Sequence, residues 1–222
     1  MYQLIIFDWD GTLMDSADKI ANCMRSAAHS VGLEMPSVDQ AKNIIGLGLS
    51  EAALSLFPGA NVAQRKALLD AYRYQFVQAD TTKQKLFDGV RQGLHELNQT
   101  GAFLAVATGK SRRGLDRALN DSQLREYFSV SRCADETRSK PHPQMLYEIL
   151  EYTSIEASKS IMIGDTSYDL DMARNANMAG LGVSYGVHAD EVLKKSGAIT
   201  VEQDFKGVLK FLLDGRTEKA FS

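Results

Sequence analysis

Only two cysteines, Cys23 and Cys133, occur in 222 residues. That excludes a disulfide framework and a cysteine-built zinc site. Both read as small buried apolar side chains, and a reducing compartment fits them. The four histidines are scattered, with nothing beside them at ligand spacing, and His142 has no obvious partner. No basic tract offsets a net charge of −3, which argues against nucleic-acid binding. No run approaches the ~20 apolar residues of a membrane span. No basic leader precedes a long apolar stretch, so the cytoplasm is the expected location. Internal repeats and low-complexity tracts are also missing. What remains is 44% apolar and 24% charged, the balance of an ordinary globular chain with room for a sizeable core.

Apolar periodicity divides the chain. Residues 16–31 carry Ile20, Cys23, Met24, Ala27, Ala28 and Val31 at helical spacing, with Ser16 placed as N-cap and Gly32 as stop. Helical patterns follow over 37–45, 50–57 and 60–78, with no strand signal between them. From residue 88 onward helices and strands alternate. Strands are expected at 103–108, 128–133, 160–163, 180–184 and 198–201, besides the first at 4–7. Helices are expected at 88–98, 111–119, 141–152, 166–176 and 205–213, with Pro141 in a first turn. Short, continuously apolar strands separated by helices predict a doubly wound, Rossmann-like parallel sheet covered on both faces. The expected division is an α/β core of residues 1–15 and 83–222, interrupted by an α-helical insertion at 16–82.

The run Leu4 to Phe7 ends in Asp8-Trp9-Asp10-Gly11-Thr12-Leu13. Carboxylates at the tip of a buried strand must be paired, hydrogen-bonded or metal-bound. In extended chain, residues two apart face the same way, so Asp8 and Asp10 can share a site while Trp9 points elsewhere. Thr108 and Asp165 also stand where apolar runs end, and ligands of such sheets gather beyond the carboxyl ends of the strands. Asp165 and Asp169 are four apart and fit one face of a helix start. Each feature has a plain structural alternative: a capped turn, a strand-end threonine, a solvated Lys140, acids on a helix dipole. Asp171 reads as a solvated helix charge.

Taken together, these segments resemble the motifs of the haloacid dehalogenase-like superfamily. Asp8-Trp9-Asp10-Gly11-Thr12-Leu13 is similar to the first motif. Met14-Asp15-Ser16 is similar to members with a helical cap inserted at this point. Val106-Ala107-Thr108-Gly109-Lys110 resembles the second motif, Lys140-Pro141-His142-Pro143 the third, and Ile163-Gly164-Asp165-Thr166-Ser167-Tyr168-Asp169 the fourth. The resemblance implies a phosphatase acting on a small-molecule phosphate ester. It makes Asp8 the nucleophile that forms an aspartyl-phosphate, and Asp10 the acid and base. Thr108 and Lys140 would neutralise the phosphoryl oxygens, with Gly109 and Lys110 also facing substrate. Lys110 resembles a lysine of phosphoglycolate-phosphatase-like members; a surface lysine is its other reading. Mg2+ is the implied cofactor, held by the Asp8 side chain, the Asp10 carbonyl and Asp165, with Asp169 close behind.

The insertion would act as a cap, hinged near residues 13–16 and 81–87, with 44–51 as the loop facing the site. Gly46-Leu47-Gly48 is not a dinucleotide loop, because no strand precedes it and the third glycine is missing. A phosphomutase or pyrophosphatase of the same family is the first alternative. No arginine lies between Arg25 and Arg65 to grip a second phosphate, which disfavours a mutase. Of another class, a receiver-like or binding protein is disfavoured by the inserted helices and the complete acid, threonine and lysine set. Nothing in the sequence sets an oligomeric state.

Overall fold

The computed structural model describes residues 2–214; residue 1 and residues 215–222, counted with the core from sequence, lie outside it. Strand β1 (Leu4–Phe7) is four apolar residues in a row and is buried throughout. Strands β2 (Met14–Asp15) and β3 (Lys85–Leu86) flank the helical segment. Then come β4 (Phe103–Thr108), β5 (Val130–Cys133), β6 (Ser160–Gly164), β7 (Ala179–Val183) and β8 (Thr200–Glu202). Six of these form one sheet in the order β5-β4-β1-β6-β7-β8, every pair parallel. The sheet is the expected Rossmann-like core. β1 lies between β4 and β6, and the chain winds away from it in both directions, so the crevice of such a sheet opens beside its tip.

Alternation within β1 distributes side chains to both faces. Ile5 and Phe7 join the cluster containing Leu94, Val106, Ile163 and Phe205. Helices α5 (Val90–Asn98), α6 (Arg112–Ser122) and α10 (Phe205–Asp214) cover that face. Leu4 and Ile6 pack on the other face with Met145, Ile149, Met162 and Met172, under α7 (Gln144–Thr153) and α8 (Ser167–Asn175). Helix α9 (Asp190–Lys195) packs beside β7 through Leu193.

Four helices lie between β2 and β3: α1 (Ala17–Ser30), α2 (Val38–Asn43), α3 (Leu49–Leu56) and α4 (Val62–Tyr74). They enclose a separate apolar cluster of Met24, Ala27, Ala28, Ile44, Ala52, Ala53 and Leu68. Capping boxes at Ser37 and Asn61 start α2 and α4. After Tyr74 the helix widens into a π-turn, Gln75–Ala79.

Among the departures from the sequence expectation are three details. β2 and β3 pair antiparallel, Met14 with Leu86 and Asp15 with Lys85, although two-residue strands carry no periodicity to read. Pro141 does not open a helix; α7 begins at Gln144 with Pro143 at its N-cap, and residues 139–142 turn through the bond from His142 N–H to Ser139 O. Two prolines so close push the residues before them out of helical conformation. Ser16 sits at the N-cap of α1 but makes no capping bond.

Leu94 is fully buried on α5 against β1 and β4. Leu94→Ala is expected to lower unfolding free energy by about 2–5 kcal/mol in urea titration. A loss below about 1 kcal/mol would contradict this packing.

Candidate active site

Three strand tips converge. Asp8 follows β1, and its N–H extends the ladder to Ile163 O at 2.9 Å. Thr108 closes β4, and Asp165 follows β6 directly. All three are buried. Lys140 enters from the loop after β5 and is also buried. Its Nζ lies 2.8 Å from Asp8 Oδ1, an ion pair without hydrogen-bond alignment, and donates to Asp169 Oδ1 at 2.6 Å. Burial alone would push the ammonium down, but Asp169 and Asp8 outweigh it and hold Lys140 above its ordinary value.

Asp169 spends its other oxygen at home. Oδ2 accepts from Thr166 N–H at 3.1 Å and from Thr166 Oγ1 at 2.7 Å, a capping box at the start of α8. Asp165 accepts from Thr12 Oγ1 (2.9 Å) and from Val187 N–H (2.9 Å). Tyr185 in turn donates to Thr12 O at 2.9 Å. Gly11 adopts a φ of +81°, and a β-carbon there would overlap the Asp165 carboxylate.

Oxygens of Asp8, Asp165 and Asp169 lie within 4.8 Å of one another. Burial pushes Asp8 from the ordinary 3.8 up to about 7, with Lys140 pulling down and Asp169 and Asp10 pushing up. Burial likewise pushes Asp165 well up, reinforced by Asp8 and Asp169. Asp8 Oδ2 is buried with no hydrogen-bond partner. An orphaned carboxylate oxygen beside two more carboxylates fits a hard divalent cation such as Mg2+.

The carboxylate of Asp10 is not part of this cluster; the expectation placed its backbone carbonyl, not its side chain, at the metal. Ser16 Oγ donates to its Oδ1 at 2.6 Å, and Lys110 Nζ pairs with its Oδ2 at 2.9 Å. The Ser16 hydroxyl thus spends itself on Asp10 rather than on capping α1. Lys110 is therefore not a solvated lysine; its side chain is about one-tenth exposed. Thr108 Oγ1 accepts from Lys110 N–H at 3.2 Å, leaving its own proton to donate.

The helical segment meets the site partly through backbone groups. Gly48 N–H donates to Ser139 Oγ at 2.8 Å, and Tyr168 OH donates to Asn43 O at 3.0 Å. At Gly109 a β-carbon would stand 2.5 Å from Leu47 O and 2.7 Å from Gly46 O. Residues 46–48 therefore lie against the second motif. A surface pocket of about 630 Å³ lies elsewhere, lined by Leu86, Phe87, Arg91 and Tyr127 among others and by none of the acids above.

Sequence reasoning missed Thr12 and His188. Thr12 lay inside the first motif and was legible as a donor. His188 had no signal: its Nδ1 accepts from Ser167 N–H at 2.9 Å, its N–H donates to Asp165 O, and its buried Nε2 has no partner. Burial pulls its pKa down, against a smaller upward pull from Asp169. His142 does have a partner: its Nδ1 accepts from Gln144 N–H at 3.2 Å, where α7 starts. Cys23 and Cys133 are buried free thiols, pushed up to about 12 by burial. Asp171 pairs with Arg174 at 2.7 Å.

Residues 5–183 match the family described as haloacid dehalogenase-like hydrolase. A protein of Dickeya dadantii named probable phosphatase IndB is 31% identical over 214 residues, covering 94% of this chain and 93% of that one. A phosphoglycolate phosphatase of Psychrobacter arcticus is 28% identical over 220 residues, covering 95% and 96%. A crystal structure titled a predicted phosphatase from Clostridium acetobutylicum superposes with a TM-score of 0.86 at 26% identity, covering 96% and 99%. Among the described residues no helix is long and apolar enough to cross a membrane.

An acid held above its unfolded value binds its proton more readily when folded. Stability therefore falls as pH rises from about 4 to 7 through Asp8, and the full cost is present above 7. In chelator, Asp8→Asn is expected to melt a few degrees higher than the parent at pH 8, with the gain shrinking towards pH 4. A parent that melts above the variant at pH 8 in chelator would show that the carboxylate is not a burden.

Proposed function

The chain belongs to the haloacid dehalogenase-like hydrolases, and on that footing we propose that it is a phosphatase hydrolysing the phosphate monoester of a small metabolite in two steps at Asp8. The observation that carries the reading is the buried group of Asp8, Lys140, Asp165 and Asp169 with one Asp8 oxygen left unpartnered. A carboxylate oxygen free of hydrogen bonds, at the tip of a central strand, is available as a nucleophile.

Asp8 would attack phosphorus and form an aspartyl-phosphate. Lys140 and the Thr108 hydroxyl stand where they can neutralise phosphoryl oxygens as charge spreads over them. Asp10, held off the cluster by Ser16 and Lys110, would protonate the departing alkoxide and then take a proton from the attacking water. Asp8, Asp165 and the Asp10 carbonyl are the groups that would hold Mg2+; Asp169, already bonded to Lys140 and Thr166, would orient the cluster from behind. The ion would supply positive charge for the phosphoryl oxygens and relieve the repulsion among the acids.

Helices α1 to α4, residues 16–82 with their linkers at 13–16 and 81–87, would serve as a cap over this site. Two matched relatives bear phosphatase names, one of them phosphoglycolate phosphatase, so small phosphorylated acids are the substrates to test first.

p-Nitrophenyl phosphate is expected to be hydrolysed with Mg2+ and not in chelator. Asp8→Asn should abolish turnover; activity surviving it removes the nucleophile assignment. Asp10→Asn is expected to lower kcat by about 10²- to 10⁴-fold and, in rapid-quench experiments, to let phosphorylated protein accumulate. Unchanged turnover would contradict the acid/base role.

A further inference from the structure

We propose that Phe76 is a positioning residue: its ring, carried by the helical segment, holds the Lys110 ammonium against Asp10. The inference rests on the phosphatase reading above. It begins with the π-turn Gln75–Ala79, a departure from regular helix of the kind that gathers at functional places. That turn sets Phe76 half-buried between two lysines. Lys110 Nζ stands 5.1 Å from the ring centroid and Lys19 Nζ 5.3 Å. Tyr72, one turn earlier, packs tilted against Phe76 with centroids 5.8 Å apart.

The two cations are anchored to different parts of the chain. Lys19 on α1 donates to Asp80 O at 2.8 Å, in the segment that leads back to β3. Lys110 pairs with Asp10 at 2.9 Å, on the sheet side. An ammonium has three N–H groups, and here it pairs with only one Asp10 carboxylate oxygen. The negative face of the ring supplies the remaining attraction, and such contacts strengthen where water is excluded. Lys110 is nearly buried, so the ring is a substantial share of what fixes its ammonium. Phe76 touches neither Asp8 nor the carboxylate cluster in any contact described. Its influence on the reaction therefore runs through Lys110, and that influence exists only while the helical segment sits over the sheet.

The experiment is a double-mutant cycle on the full chain with Mg2+ and p-nitrophenyl phosphate, using Phe76→Leu, Lys110→Met and their combination. Phe76→Leu is expected to lower kcat about tenfold with KM changed less than about twofold. Phe76→Tyr, which keeps the π face, should restore most of the loss. In the Lys110→Met background Phe76→Leu should change kcat by less than about twofold. Independent, multiplicative losses, or no rescue by tyrosine, would overturn the proposal. An active parent with additive variants sinks only the role of Phe76. An inactive parent sinks the phosphatase reading, and the contact is then judged by the same cycle in melting temperature, where additivity counts against it.

Discussion

One buried ammonium stands among buried carboxylates, and the architecture around the site follows from that. Lys140 touches Asp8 and Asp169, while Asp165 completes the cluster. With all four ionised the group carries two net negative charges in a region closed to water. Such a set persists only if the surroundings prevent its members from turning away or being hydrated. Strand ends supply that rigidity: Asp8 and Asp165 continue neighbouring strands, and their backbones are fixed by the ladder before their side chains matter. Gly11 and Gly186 bring backbone close to Asp165 where any β-carbon would collide. Thr12, Thr166 and Val187 N–H then satisfy the outer oxygens. What remains unsatisfied is an Asp8 oxygen, at the place where chemistry would begin.

The two acids of the first motif lead different lives despite being two residues apart. Asp8 belongs to the sheet and its cluster. Asp10 belongs to the boundary with the helical segment, where Ser16 from the start of α1 and Lys110 from beyond β4 each take one oxygen. The backbone of residues 46–48 presses on Gly109 and reaches Ser139. Contacts made by peptide groups depend on position rather than side-chain identity. The loop can therefore close the site without declaring what the leaving group is.

Much of this was legible in the chain, for identifiable reasons. Continuous apolar runs such as 4–7 and 103–108 have few places to go except the middle of a parallel sheet, and the acids ending them had to share its edge. The Asp165 and Asp169 spacing was readable because a helix start fixes it. What stayed hidden depends on contacts distant in sequence. The β2–β3 ribbon is too short to carry a pattern. Ser16 looked like a cap because caps are local, whereas its actual partner, Asp10, is reached only after the chain turns at Gly11. His188 and Val187 lie in a loop without periodicity and matter only because Asp165 lies beneath them. Phe76 falls inside the helical pattern expected over 60–78, and the π-turn that carries it left no mark in the spacing.

The chain has a single tryptophan, and it falls between the two acids of the first motif. Trp9 is fully buried, packs edge-on to Phe128 at 6.4 Å, and keeps an indole N–H with no acceptor. The protein thus carries one indole fluorophore, and it is bonded in sequence to both Asp8 and Asp10. Its emission has no second indole to dilute it, so a change of charge or backbone at that strand tip would be written directly into the spectrum of the whole molecule.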